Sequence, residues 1–189
     1  MTIPDSPTAD AAAELARMAA PPFLLNHSYR TYLFGAATVA GDVDHEAAFV
    51  AAMIHDLGLT DTHRGTQEFG VVSADVAGRF LSNRGWEPDR IRLVEQAILR
   101  HTNLQREDDP TNRVVQAGAT IDVVGLGLEA IDRDELTTVL RRYPRLDFVS
   151  EMHTAFLDEM NRHPEGAFAT LERAVGISGM FARNPIDRS

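Results

Sequence analysis

The chain has 189 residues, 44% of them hydrophobic, which suits one domain with a core of ordinary size. Its formal net charge is −10 and all 18 of its cationic side chains are arginine, so no basic face for nucleic acid or an anionic membrane is expected. Cysteine is absent, which excludes disulfides and thiolate ligands and leaves His, Asp and Glu to hold any metal.

Residues 1–9 are polar and proline-containing and are predicted to form a loose tail, with a single domain over 10–189. From Asp10 onward Val, Ile, Thr and the aromatics never alternate cleanly over a strand-length window, so the predicted fold class is all-α. A first helix runs from Asp10 to Ala20, where Pro21-Pro22 stops it. Pro22 can sit in the first turn of the next, 22–40, which Gly41 ends. Asp44 can cap a helix running to Leu57 with Gly58 in the C′ position. Residues 66–83 carry Phe69, Val72, Val76 and Phe80 at helical spacing, and Asn83-Arg84-Gly85 ends the segment. Pro88 opens a helix whose stripe is Ile91, Val94, Ile98 and His101. A polar loop over 102–111 follows. Thr111 or Asn112 can cap a helix through Val124, with Gly125 and Gly127 beyond it. Later helices are predicted at 132–142, 145–162 and 165–175.

The N-terminus lacks a basic region followed by a long apolar stretch, so no secretory signal is expected. No apolar run approaches the roughly 20 residues needed to span a bilayer. A cytoplasmic location is therefore the expectation, with a small molecule as substrate. Oligomeric state is not readable, and a homo-oligomer is compatible with the chain.

His27, the adjacent His55-Asp56 and Asp122 carry the chemistry. His55-Asp56 interrupts an apolar stretch, Phe49-Val50-Ala51-Ala52-Met53-Ile54 before it and Leu57 after. A buried Asp beside a buried His is costly unless the two are hydrogen-bonded or hold a cation. Asp122 lies mid-helix among Ile121, Val123 and Val124, where aspartate has poor propensity and needs a partner. One histidine on an apolar face is usually a hydrogen-bonded core residue. Two imidazoles and two carboxylates from three segments favour a metal site, since zinc, manganese and iron all accept such donors. His45, His63, His153 and His163 read as surface, loop or structural residues.

This H…HD…D order on an all-α background resembles the HD-domain metalloenzymes. Asn26-His27-Ser28-x-Arg30, His55-Asp56-Leu57-Gly58-x-Thr60-Asp61, Gln67-Glu68-Phe69 and Leu99-Arg100-His101-Thr102 are similar to the cyanamide hydratase branch, over about residues 22–156. The resemblance implies that His27, His55, Asp56 and Asp122 bind one divalent metal, zinc first with Mn2+ or Fe2+ as alternatives. It also implies a metal-dependent hydratase that adds water across a nitrile carbon, with cyanamide and urea as the best substrate and product. A nearby acid must then protonate the nitrile nitrogen. His101 is the candidate for that proton transfer, or else a core histidine, and Glu68 is the weaker one. Arg30, one turn from His27, could orient a ligand carboxylate or equally form a surface salt bridge.

The main rival is an HD-type phosphohydrolase acting on a nucleotide or other phosphate ester. It needs cations to hold the phosphate. The chain has no lysine, and only Arg64 and Arg100 could stand in. A di-iron oxygenase would need extra histidines between Asp56 and Asp122, where only His63 and His101 occur, so one metal is preferred. A degenerate, non-enzymatic HD module is disfavoured because all four ligand candidates are present.

Overall fold

The structure, a computed structural model, describes residues 2–188; Met1 and Ser189, the outer ends of the predicted tail and domain, lie outside them. Among the described residues there are ten α-helices, three short 3-10 segments and no strand, so the fold is all-α. None of these helices is long and apolar enough to cross a membrane.

Helix α1 (Pro7–Ala19) starts earlier than predicted because Ser6 caps it, accepting from the Ala9 amide at 3.1 Å, with Pro7 in the first turn. Residues 7–9 of the predicted tail are thus helical. Helix α2 (Pro22–Thr38) opens on its proline as predicted. Helix α3 (His45–Ile54) is capped by Asp44, whose side chain accepts from the Ala47 amide at 3.0 Å.

The end of α3 differs from the prediction. The helix gives way at His55-Asp56 to a 3-10 turn, Leu57–Leu59, and Gly58 lies inside that turn rather than in a left-handed C′ position. Its small size serves a close approach instead: a Cβ there would stand 2.2 Å from the Phe69 carbonyl oxygen, at the start of α4 (Phe69–Ser82). Helix α5 (Pro88–Arg100) ends at His101. Helix α6 (Pro110–Val124) is capped by Asp109 and not by Thr111 or Asn112; both of those residues donate their amides to Asp109 Oδ1, at 2.8 and 3.1 Å. Gly125 ends α6 at φ 79°. Helices α7 (Arg133–Arg142), α8 (Phe148–Arg162) and α9 (Ala167–Val175) fall close to their predicted spans, and the one-turn α10 (Ser178–Phe181) was not anticipated.

Helices α2 and α6 form the most extensively packed pair and place half of the site. They meet backbone to backbone through two glycines. A Cβ on Gly118 would lie 1.7 Å from the Thr31 carbonyl oxygen, and one on Gly35 would lie 1.8 Å from that of Val114. These pairs, 31 with 118 and 35 with 114, step by four residues in opposite directions, as antiparallel helices require. One step further along the same ladder stand His27 and Asp122. The main core lies among α1 to α6, around Phe34, Phe49, Met53, Ile54 and Ile98. A second, aromatic-rich cluster gathers Phe69 with Phe148, Phe156, Phe168 and Phe181 from the C-terminal helices.

Candidate metal centre

Two histidines occupy equivalent positions at helix ends. His55 follows α3 and His101 follows α5, both still in the helical region of the backbone. Each directs Nδ1 back at the carbonyl three residues earlier, His55 to Ala52 at 2.7 Å and His101 to Ile98 at 2.6 Å. A carbonyl can only accept, so each Nδ1 carries the proton and each neutral ring leaves a lone pair on Nε2. The two rings meet edge to face with centroids 4.8 Å apart. Between helix and 3-10 turn, Asp56 sits at φ −110°, ψ 9°, the bridge region where active-site residues often occur.

His27 arrives from α2. Its Nδ1 donates to Asp122 Oδ2 at 2.6 Å, so its Nε2 also carries a lone pair when the ring is neutral. Three donors then converge. His27 Nε2 is 3.2 Å from His55 Nε2; Asp56 Oδ2 is 3.2 Å from His55 Nε2 and 3.5 Å from His27 Nε2. All three residues are buried, and Asp56 Oδ1 accepts no hydrogen bond from any described group. Two lone pairs and a carboxylate in contact repel one another unless a cation lies among them. Donors about 2.1 Å from one tetrahedral ion stand roughly 3.4 Å apart, which matches the observed spacing. His27, His55 and Asp56 therefore fit a divalent metal, and they are the one such group among the described residues.

The electrostatics agree. Burial works against charging His27, but its contacts with Asp122 and Asp56 raise its pKa above the ordinary value. Burial also opposes ionisation of Asp56, yet His55 and His27 hold it well below the usual carboxylate range. His101 goes the other way: burial, with His55 beside it, pushes it down to about 4.

The fourth expected ligand is placed differently. Asp122 lies behind His27 rather than among the three donors. Arg30 grips its two oxygens from Nε and Nη2, each at 2.8 Å, and Arg145 Nη1 donates to Oδ1 at 2.8 Å and to the Asp122 carbonyl at 2.6 Å. Against the cost of burial, Arg30 and His27 hold this carboxyl far below its ordinary pKa. Asn184 adds a bond to the same carbonyl at 2.8 Å, and Arg145 also pairs with Asp187 at 2.7 Å. Phe148 packs on His27 with ring centroids 4.9 Å apart.

Arg145, Asn184 and Phe148 were missed from sequence. Asn184 lies in a loop with no periodic pattern, Arg145 opens the predicted 145–162 helix but lies in the loop before α8, and Phe148 opens a helix as any core aromatic would. Glu68 is not on the cavity wall. Its Oε1 accepts from the Ala167 amide at 2.6 Å and so caps α9.

From His27, Asp56 and His101 a cavity of about 180 Å3 extends between α6 and the C-terminal helices. His101 Nε2 lies 3.7 Å from Asp56 Oδ1 at its polar end. Among the described residues, no arginine lines it. Arg64 pairs with Asp158 at 3.0 Å and Arg100 with Glu107 at 3.4 Å, while Arg30 and Arg145 are engaged by Asp122.

The chain is similar to known proteins in agreement with this geometry. Cyanamide hydratases DDI2 and DDI3 of Saccharomyces cerevisiae are each 29% identical to it over 182 residues, spanning 89% of this chain and 79% of theirs. The HD domain family model matches residues 24–135, a stretch that contains His27, His55, Asp56, His101 and Asp122. With more than half of its length matched and a buried His-His-Asp group inside the match, the chain belongs to the HD domain family.

Proposed function

We propose that this protein is a metal-dependent hydratase that adds water across the carbon–nitrogen triple bond of a small uncharged nitrile-type substrate, with cyanamide, which yields urea, as the first candidate. The observation that carries this is a buried His-His-Asp group opening onto a cavity with no arginine among the described residues of its wall. A phosphate ester needs cations for its oxygens, and a neutral nitrile does not. The names of the yeast relatives support the same substrate class.

His27, His55 and Asp56 would hold one divalent ion, zinc first, with manganese and iron accepted by the same donors. Such an ion makes water a competent nucleophile near neutral pH, where free water is not. The chain does the rest. Arg30 and Arg145 hold Asp122, and Asp122 holds the His27 ring in the tautomer that presents Nε2. His101 presents an Nε2 lone pair at the polar end of the cavity. It takes a proton from the attacking water and returns it to the nitrile nitrogen. One carbon–oxygen bond forms, one π bond of the nitrile opens, and the resulting hydroxy-imine becomes the amide by a proton shift. The apolar wall keeps bulk water from the intermediate.

Assaying the zinc-loaded protein against cyanamide and nucleotides side by side tests this. Urea without phosphate release is expected. Phosphate release without urea would replace the hydratase by a phosphohydrolase.

A further inference from the structure

Cyanamide has only three non-hydrogen atoms, and the cavity is far larger. It measures about 180 Å3, whereas an apolar cavity of about 150 Å3 already holds a six-carbon ring. Its two ends differ in kind. The polar end is His27, Asp56 and His101, all from within residues 24–135. The opposite wall is hydrocarbon, built by Met152 and Phe156 of α8, Phe168 and Leu171 of α9, and Phe181 of α10. Hydrogen-bonding groups for a second polar end are missing from those five side chains.

Thr102, Asn103 and Thr120 add polar groups to the lining, and the rest of it is apolar. Leu104, Leu126 and Val175 line the same cavity and are 61%, 59% and 47% exposed. Exposed hydrophobics scattered singly need no explanation, but three that line one cavity bear on what enters it. Leaving such a wall against water is unfavourable, and a hydrocarbon group removes that cost.

We infer that the physiological substrate class is a nitrile carrying a hydrocarbon group of about four carbons, an alkylcyanamide or alkyl nitrile, rather than bare cyanamide. This rests on the hydratase function proposed above and leaves its chemistry unchanged. The C≡N group lies at Asp56 and His101, water adds to its carbon, and the nitrogen takes the proton. The alkyl group lies among Phe156, Phe168 and Leu171.

The test measures kcat/KM of the zinc-loaded full chain for cyanamide and for N-alkylcyanamides from methyl to octyl. Each buried methylene is worth about fourfold, so the series should climb by about sixtyfold from methyl to butyl and fall again at octyl, which exceeds the cavity. A kcat/KM highest for cyanamide and declining from methyl onward would overturn the inference and leave the hydratase function standing. No product from any member would overturn that function and this inference with it. Binding supplies a readout without turnover: N-butylurea should raise Tm at a concentration where urea does not. No shift with N-butylurea would also overturn it. Leu171→Trp should move the optimum to shorter groups, and an unmoved optimum in the folded variant would contradict the placement.

Discussion

Arg30 and Asp122 form two parallel hydrogen bonds, each 2.8 Å long, between side chains with no solvent exposure. The two residues come from facing turns of α2 and α6, and Asp122 passes the constraint to His27 Nδ1 at 2.6 Å. One buried ion pair thereby decides which nitrogen of His27 is offered to a metal.

Asp122→Asn keeps the shape but removes the anion. Metal affinity is expected to fall about 10–100-fold, read by competition with a chelator. Stability should drop by about 3–5 kcal/mol because Arg30 is left buried without a counter-charge, read by chemical denaturation; Arg145 keeps Asp187. A folded variant that takes up no zinc even at saturation would instead put an Asp122 oxygen on the ion itself.

His101→Ala should lower kcat by about 10²–10⁴-fold while the metal content per chain stays as in the parent. Elemental analysis beside the kinetics checks this. Loss of metal in that variant would make His101 a ligand rather than a proton carrier.

Gly118→Ala would ordinarily gain about 1 kcal/mol of helix propensity. Here the added Cβ would stand 1.7 Å from the Thr31 carbonyl, which belongs to the backbone of α2 and cannot yield locally. A net loss of about 1–3 kcal/mol is expected, with weaker metal binding as His27 and Asp122 are pushed apart. Denaturation midpoints of the two proteins decide the sign.

Asp44 caps α3 and accepts two bonds from Arg90, at 2.6 and 2.8 Å. The Arg90 bonds hold its pKa below the ordinary aspartate value against the opposing effect of burial. Its stabilisation is therefore complete above that unfolded value and is lost as pH falls through the lower folded one. Asp44→Ala should cost about 1 kcal/mol at neutral pH and flatten the loss of stability below about pH 4. An undiminished acid slope in the variant would count against this origin.

Helix starts were legible because they depend on neighbours in sequence. Pro22, Pro88 and the Asp44 cap each work within one turn. The Asp109 cap was legible in principle from Asp109-Pro110, but Thr111 and Asn112 are acceptable caps in isolation and only the backbone decides among them. Gly58 misled because glycine serves both left-handed turns and close contacts, and the partner, Phe69, is eleven residues on. His27, His55 and Asp56 stood out as polar groups within apolar helical stretches. What holds them did not: Arg145 reaches Asp122 across 23 residues and Asn184 across 62, both from loops. The position of Asp122 behind His27 depends on Arg30 and Arg145 together, a competition for one carboxylate that no spacing reveals.

The most direct measurement is urea formation from cyanamide by the purified protein, before chelation, after it, and after zinc is restored. Urea that disappears with the chelator and returns with zinc is the predicted result. Urea production untouched by complete metal removal would contradict the account.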